Sequence, residues 1–208
     1  MYEASKRIID IVLSVFTLAV TAPVLLLVAL IIRMDSPGPI LFRQERLGKN
    51  RRPFTILKFR TMQHEADDSF HREAIRRAVN GIRTSLSDGT EVFKSPEDPR
   101  ITRTGKFLRA SCLDELPQLI NVLRGEMSLV GPRPALEYEL EHYSDWYYRR
   151  FDVRPGLTGT WQVQRADAKD FDDMMRMDVK YTDSNSTWTD LKLMAQTIPA
   201  IVRERGVF

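Results

Sequence analysis

Residues 11–32 read IVLSVFTLAVTAPVLLLVALII, twenty-two consecutive positions without a charge. At about 1.5 Å per residue, a helix of that length reaches roughly 33 Å, enough to cross the hydrocarbon core of a bilayer. Lys6 and Arg7 precede the run as the n-region of a secretory signal would. The apolar part of such a signal is usually only about 7–15 residues, however, and here Arg33 and a basic stretch follow, so the run reads as a membrane segment. Basic residues favour the cytoplasmic side of such a segment, and they flank this one at both ends. Pro23, at the middle of the run, removes one helical hydrogen bond and bends the preceding turn. Two forms are open: a kinked span, which proline permits, and a re-entrant helix-break-helix that leaves both ends on the cytoplasmic face, as the charges prefer. On the second form, residues 1–35 are a re-entrant membrane element and residues 36–208 a membrane-associated cytoplasmic domain.

The chain has 208 residues and a mass of 24.1 kDa, enough for one compact domain beside the membrane segment, with no Gly/Ser-rich linker to divide it. Its net charge is only +3, so the overall balance does not argue for nucleic acid, and none is expected as a partner. Distribution says more: from Arg43 to Arg60 seven basic residues face Glu45 alone, a local charge of +6 that suits phosphate. Cys112 is the single cysteine and has no internal disulfide partner, and His64, His71 and His142 lack zinc-like spacing. The domain therefore reads as cytoplasmic and without structural zinc.

Ser36-Pro37-Gly38-Pro39 ends the membrane segment in a turn. Ile40 to Phe42 and Phe54 to Phe59, separated by the polar loop Gly48 to Arg52, predict a small hairpin. Residues 64–83 carry a polar helical pattern and 84–99 a Ser/Asp/Gly/Pro-rich loop. Ser111 to Asp114 has capping-box spacing, and Leu116, Leu119, Ile120 and Leu123 then recur at helical intervals up to Gly125, which places Asp114 and Glu115 in a first helical turn. Leu136 to Phe151 and Trp188 to Arg205 mix apolar and basic faces; both suit a membrane surface, although core packing is the commoner fate of such stripes. The fold class expected is α+β, mainly helical, with interfacial amphipathic helices.

Adjacent carboxylates in a helical first turn usually do no more than complement the dipole. Asp114 and Glu115 have unusual company, however: Lys58 and Arg60 in KFRTM, Arg109 five residues upstream, and Arg133 between prolines in SLVGPRP. Carboxylates among fixed cations describe a site for a phosphate ester, and an aspartate held ionised by arginines and a helix N-terminus is a competent nucleophile at phosphorus. Phosphoryl transfer also needs spread charge neutralised, the work of Arg, Lys and Mg2+, with Asp114 as the candidate metal ligand. Cys112 lacks an activating partner in sequence and reads as a small buried side chain, and Gly156 and Gly159 read as turns. A competing reading is a non-catalytic anchored module whose basic stretch holds anionic lipid or a protein.

RLGKNRRPFTILKFRTM, LRASCLDELPQLINVLRGEMSLVGPRP and RPGLTGTWQV, in that order behind an apolar N-terminal segment, resemble the bacterial sugar transferases, the monotopic phosphoglycosyl transferases, from about Lys6 to Arg205-Gly206. The resemblance implies transfer of a sugar-1-phosphate from a UDP-sugar to undecaprenyl phosphate with release of UMP, dependent on Mg2+, at the cytoplasmic face of a bacterial inner membrane. It implies a covalent phosphosugar on Asp114, supported by Glu115, as the start of surface polysaccharide or glycan synthesis. Lys58, Arg60, Arg109 and Arg133 fall on the family's basic positions, where phosphate contact is expected, Pro132 falls on a proline that shapes the site, and Gln162 and Arg165 are the further substrate-binding residues the resemblance implies, Arg165 as a nucleotide contact. The reading also admits a homodimer, and galactose, glucose and modified N-acetyl sugars all stay open as substrates. Two departures stand out: Ala22 precedes Pro23 where the family commonly has serine, and Gln164-Arg165 follows WQV one residue short of the usual small-Gly-Arg.

Overall fold

The structure, a computed structural model, describes residues 2–63, 72–73, 76, 84–85, 91–92, 100–164 and 170–203. Most of the helical pattern expected over 64–83 and of the loop over 84–99 lies outside those residues. Within them, β3 (Thr84–Ser85) pairs antiparallel with β4 (Glu91–Val92).

The apolar run forms one helix, α1 (Tyr2–Asp35), which continues through Pro23 where the sequence predicts a break. One forfeited hydrogen bond does not end a helix whose apolar flanks offer the backbone no other partner. The carbonyl that Pro23 leaves without a donor belongs to Ala19, four residues back, whereas the Thr21 hydroxyl donates to Thr17 O at 2.7 Å, so Thr21 does not take over that role. α1 is the one helix among the described residues long and apolar enough to cross a membrane. Most of its circumference is exposed, including Val12, Phe16, Val20, Leu26 and Leu30.

A single stripe of α1 docks on the domain at both ends. At its start, Lys6 Nζ donates to Val130 O at 2.9 Å and to Asp190 Oδ2 at 2.7 Å. Arg7 donates to Val122 O at 2.6 Å and Leu123 O at 2.8 Å, and Asp10 Oδ1 accepts from Leu129 N at 3.0 Å. At the far end, Val28 and Ile32 pack with Phe59 and Leu108. Lys6 and Arg7 are therefore docking residues and not free flanking charges: buried carbonyls and a buried carboxylate require donors, and these two cations supply them.

The expected hairpin is present, with a longer first strand: β1 (Leu41–Leu47) pairs antiparallel with β2 (Pro53–Phe59), from Leu41 opposite Phe59 to Leu47 opposite Pro53. Phe54 and Ile56 of β2 pack with Val122 and Met127, joining the hairpin to α3 (Gln118–Arg124). A second sheet is parallel, β5 (Ser128–Val130) with β6 (Gly156–Thr158). α4 (Thr160–Val163), α5 (Phe171–Ser184) and α6 (Thr187–Arg203) complete the described chain. The mixture is mainly helical with small sheets, as the sequence predicts.

The two stripes that suit a membrane surface part company. Residues 137–152 form two 3-10 segments whose Tyr147 and Phe151 are buried, with Tyr143, Tyr147 and Phe171 in edge or tilted ring contact, so this stripe is core. α6 keeps Trp188, Leu191 and Ile198 exposed while burying Leu193 against Val130 and Tyr181.

Candidate active site

The local structure around the paired carboxylates differs from a simple helix start. α2 (Arg103–Ala110) is capped by Thr102, whose hydroxyl accepts from Gly105 N at 3.0 Å. Ser111 does not open the next helix: its hydroxyl donates back to Phe107 O at 2.9 Å and so belongs to the end of α2. Cys112 follows with φ 54°, a left-handed conformation that costs a non-glycine residue strain, and is only half-buried. Asp114 and Glu115 then lie on a 3-10 turn, Leu113–Glu115, ahead of α3, because Pro117 has no N–H with which to extend α-helical bonding backwards. Gly125, at φ 81°, ends α3 where the sequence places its end.

Asp114 is buried, 8% exposed, and its carboxyl is pushed up from 3.8 to about 6. Burial is the largest cause and the Glu115 charge the next; Lys58 and Arg109 pull the other way and lose. Asp114 is thus held ionised less firmly than the sequence predicts, although a carboxyl at about 6 is still mostly ionised at neutral pH. Lys58 arrives from β2, its Nζ 2.7 Å from Glu115 Oε1. Arg109 arrives from α2, its Nε donating to Thr61 Oγ1 at 2.9 Å. The four side chains Asp114, Glu115, Lys58 and Arg109 thus form one group carried by three elements.

Two residues not singled out from the sequence hold these elements in place. Gly105 lets α2 lie against the chain after β2: a Cβ there would stand 2.0 Å from Thr61 O, and Thr102 N donates to that same carbonyl at 3.0 Å. Asn121, fully buried, acts as a strand neighbour to β2, accepting from Leu57 N at 3.0 Å and donating to Thr55 O at 2.7 Å. A lone amide between Ile120 and Val122 was the available signal for the second; a small residue inside an amphipathic turn was the signal for the first.

Arg60 occupies a different place from the one expected. It is buried, and its guanidinium donates to Pro37 O at 2.8 Å and Ser36 O at 2.7 Å, closing the exit of α1. The basic stretch 43–60 is consequently not one surface. Arg46 and Arg60 are buried on backbone carbonyls, Lys58 pairs with Glu115, Lys49 lies half-exposed 3.9 Å from Glu3 Oε1, and Arg43, Arg51 and Arg52 are the exposed remainder.

Arg133 and Gln162 lie just past the paired strands, Arg133 after β5 and Gln162 in α4 after β6. Gly131, Gly156 and Gly159 let the two motifs touch backbone to backbone: a Cβ on Gly156 would lie 2.1 Å from Gly131 N, and one on Gly159 2.3 Å from Gly131 O. Gly156 is strand and Gly159 is extended at φ −161°, so close approach, not a turn, is the reason for glycine here. Gln162 Oε1 is buried near Gly159 without a hydrogen-bond partner among the described residues. The Arg133 guanidinium makes no hydrogen bond or ion pair among the described residues, and its charge bears on Asp178. Arg165 lies outside the described residues.

No cluster of three or more His, Cys, Asp or Glu able to hold a metal occurs among the described residues. The donor set fits Mg2+ in another way, since that ion is commonly held by one or two carboxylates together with substrate phosphates, and Asp114 with Glu115 supplies two adjacent carboxylates whose repulsion a cation relieves.

The family model described as bacterial sugar transferase matches residues 1–204. The chain is 41% identical over 209 residues to a UDP-glucose:undecaprenyl-phosphate glucose-1-phosphate transferase of Caulobacter vibrioides, covering 96% of this chain and 70% of that protein. It is 36% identical to the exopolysaccharide production protein ExoY of Sinorhizobium fredii, covering 98% and 88%. It is 34% identical to an undecaprenyl-phosphate galactose phosphotransferase of Salmonella typhimurium, covering 98% of this chain but 41% of that longer protein. With its site assembled from the same motifs that carry the sequence resemblance, and with the match running over almost its whole length, the chain belongs to the bacterial sugar transferase family.

Proposed function

We propose that this chain is a phosphoglycosyl transferase that moves a sugar-1-phosphate from a UDP-sugar to undecaprenyl phosphate, releasing UMP, and so starts the assembly of a surface polysaccharide. The observation that carries the chemistry is Asp114, buried beside Glu115 and opposed by Lys58 and Arg109. The names of the Caulobacter and Salmonella relatives supply the substrate classes.

In this reading an Asp114 carboxylate oxygen attacks the sugar-bearing phosphorus of the donor. The bond from that phosphorus to the bridging oxygen breaks, and UMP leaves with the electron pair. A phosphate oxygen of the lipid then attacks the same phosphorus, the bond to Asp114 breaks, and the carboxylate is regenerated as the lipid diphosphate sugar departs. Each step exchanges one phosphorus–oxygen bond for another, and no general base is needed because the attacking groups are already anionic. Lys58, through Glu115, and Arg109, through Thr61, hold positive charge beside the reacting group without having to reorganise. Mg2+, held by Asp114 and Glu115 with the donor's phosphates, would neutralise charge on the transferring group.

The docking of α1 supports a form with both ends on one side of a bilayer, the cytoplasmic side by the family reading: Lys6 and Asp10 near the start and Ile32 near the end bind one folded domain, and the helix between them is unbroken, without the helix-break-helix that the sequence reading expects. Exposed Trp188, Leu191 and Ile198 of α6 and exposed Phe107 of α2 are suited to the interface beside it. The alternative of a lipid-holding module keeps the exposed Arg43, Arg51 and Arg52 for anionic lipid, but it gives no use to Asp114 buried beside Glu115, Lys58 and Arg109. The test is UMP release from a panel of UDP-sugars with undecaprenyl phosphate and Mg2+; a binding module releases none.

A further inference from the structure

The four successive carbonyls of residues 132–135 are each held from outside the segment, and three elements share the task. Gly131 N donates to Thr158 O at 2.9 Å, and Gly156 N donates to Pro132 O at 2.8 Å, both from β6. Arg150 Nη2, from the 3-10 segment Asp145–Asp152, donates to Arg133 O at 2.8 Å. Arg46 Nη1, from β1, donates to Pro134 O at 3.1 Å, and Leu47 N donates to Ala135 O at 2.9 Å. Pro132 and Pro134 have fixed φ and no N–H, so the carbonyls are the handles by which this segment can be held.

Both arginines are themselves immobilised. Arg150 is 4% exposed, ion-paired to Asp178 Oδ2 at 2.6 Å, which is 1% exposed, and it also donates to the Tyr143 hydroxyl. Arg46 is 8% exposed, and its Nε and Nη2 both donate to Gln44 Oε1, at 3.1 and 2.7 Å. A buried ion pair seldom stabilises a fold more than a well-packed apolar pair of the same volume, so its presence calls for another reason. The side chain at the centre of the clamped segment, Arg133, has no hydrogen bond or ion pair among the described residues.

We infer that Arg46 and Arg150 are positioning residues: they grip the carbonyls of Pro134 and Arg133 so that the Arg133 guanidinium is presented, already ordered, to the phosphates of the nucleotide diphosphate donor. This rests on the phosphoglycosyl transferase reading and adds to it two residues that do not touch substrate. Ordering the backbone in advance removes an entropic cost from the bound complex, and a guanidinium displaced by about 1 Å loses much of its effect on a transferring phosphoryl group.

The experiment compares UMP release by Arg46→Met and by the pair Arg150→Met with Asp178→Leu, each made in the wild type and in an Arg133→Ala background. The pair removes both charges together, so no uncompensated carboxylate is left inside. If the pair fails to fold, Arg46→Met, which removes bonds to two neutral acceptors, Pro134 O and Gln44 Oε1, and leaves no buried charge unpaired, carries the test alone. In the wild-type background each change is expected to lower turnover roughly tenfold to a hundredfold, with the fold retained but the melting temperature lowered by a few degrees for Arg46→Met. In the Arg133→Ala background the same changes are expected to cost less than about twofold, because the group they position is gone. Equal losses in the two backgrounds would show a merely structural role and overturn the inference while leaving the proposed function standing. Wild-type turnover by Arg133→Ala overturns it as well, since nothing would then depend on what is positioned. Absence of UMP release from the wild type would overturn the functional reading and the inference with it.

Discussion

Lys58 Nζ lies 2.7 Å from Glu115 Oε1 across 57 positions of chain, and this contact sets β2 against the turn that carries Asp114. Lys58 is also the first of the two cations that oppose the upward push of burial and Glu115 on the Asp114 carboxyl. With Lys58→Met that carboxyl moves above about 6, so less of it is ionised near neutrality. UMP release at pH 7 is expected to fall roughly tenfold or more and to recover in part by about pH 8.5. A loss that is the same at every pH would place Lys58 elsewhere in the mechanism.

Asp114 itself makes the folded domain less stable when ionised. Its carboxyl titrates near 6 in the fold and near 3.8 unfolded, so between those values the unfolded chain gives up its proton first. Stability from this group is therefore full below pH 3.8, declines as pH rises toward 6, and stays low above it, a difference of about 3 kcal/mol at most. Asp114→Asn is expected to raise the stability of the EDTA-treated protein at pH 7.5 by about 1–3 kcal/mol, and to lose that advantage at pH 4. Thermal melts of the two proteins in detergent at both pH values check this; equal melting temperatures at pH 7.5 would contradict it.

Gly105→Ala forces a Cβ to within 2.0 Å of Thr61 O, where the obstacle is backbone. α2 must shift, taking Arg109 from Thr61, and the cost is about 1–3 kcal/mol with a clear loss of turnover. Gly48→Ala, where the nearest atoms are at 3.3 Å in the hairpin turn and a shift of a few tenths of an ångström relieves them, is the control and is expected to cost less than Gly105→Ala, with turnover intact. Melting temperature and UMP release, measured on both variants, distinguish a close approach from a general intolerance of alanine.

The order of motifs, the hairpin and the end of α3 at Gly125 were legible in the sequence, because each depends on spacing along a few residues, and of the four cations expected around Asp114 the structure brings Lys58 and Arg109. What was not legible depends on distant unmet carbonyls. Arg46 and Arg60 look like surface cations in RLGKNRRPFTILKFRTM, yet they turn inward because the proline-rich stretches 36–39 and 132–134 lack N–H groups and leave carbonyls to be satisfied from elsewhere. Ser111 has the spacing of a capping box, but the preceding helix claims its hydroxyl. The direction of the Asp114 shift follows from burial, which no count of neighbouring arginines in a sequence reveals.

The docking of α1 predicts its topology. A cysteine placed at position 2 in a Cys112→Ser background is expected to resist a membrane-impermeant thiol reagent in intact cells and to react after lysis. Pro23→Leu regains one backbone hydrogen bond, about 1 kcal/mol, against the buried contacts of Lys6, Arg7 and Asp10, so position 2 is expected to stay protected in that variant too. Labelling in intact cells would show that the helix spans.

The most direct measurement is the mass of the Asp114 peptide after incubation with the UDP-sugar that supports UMP release, Mg2+ and no lipid acceptor. The expected result is a sugar-phosphate adduct on Asp114 that disappears when undecaprenyl phosphate is added and never forms in Asp114→Asn, which also releases no UMP. An adduct on another residue, or undiminished UMP release by Asp114→Asn, would contradict the assignment of Asp114 as the nucleophile.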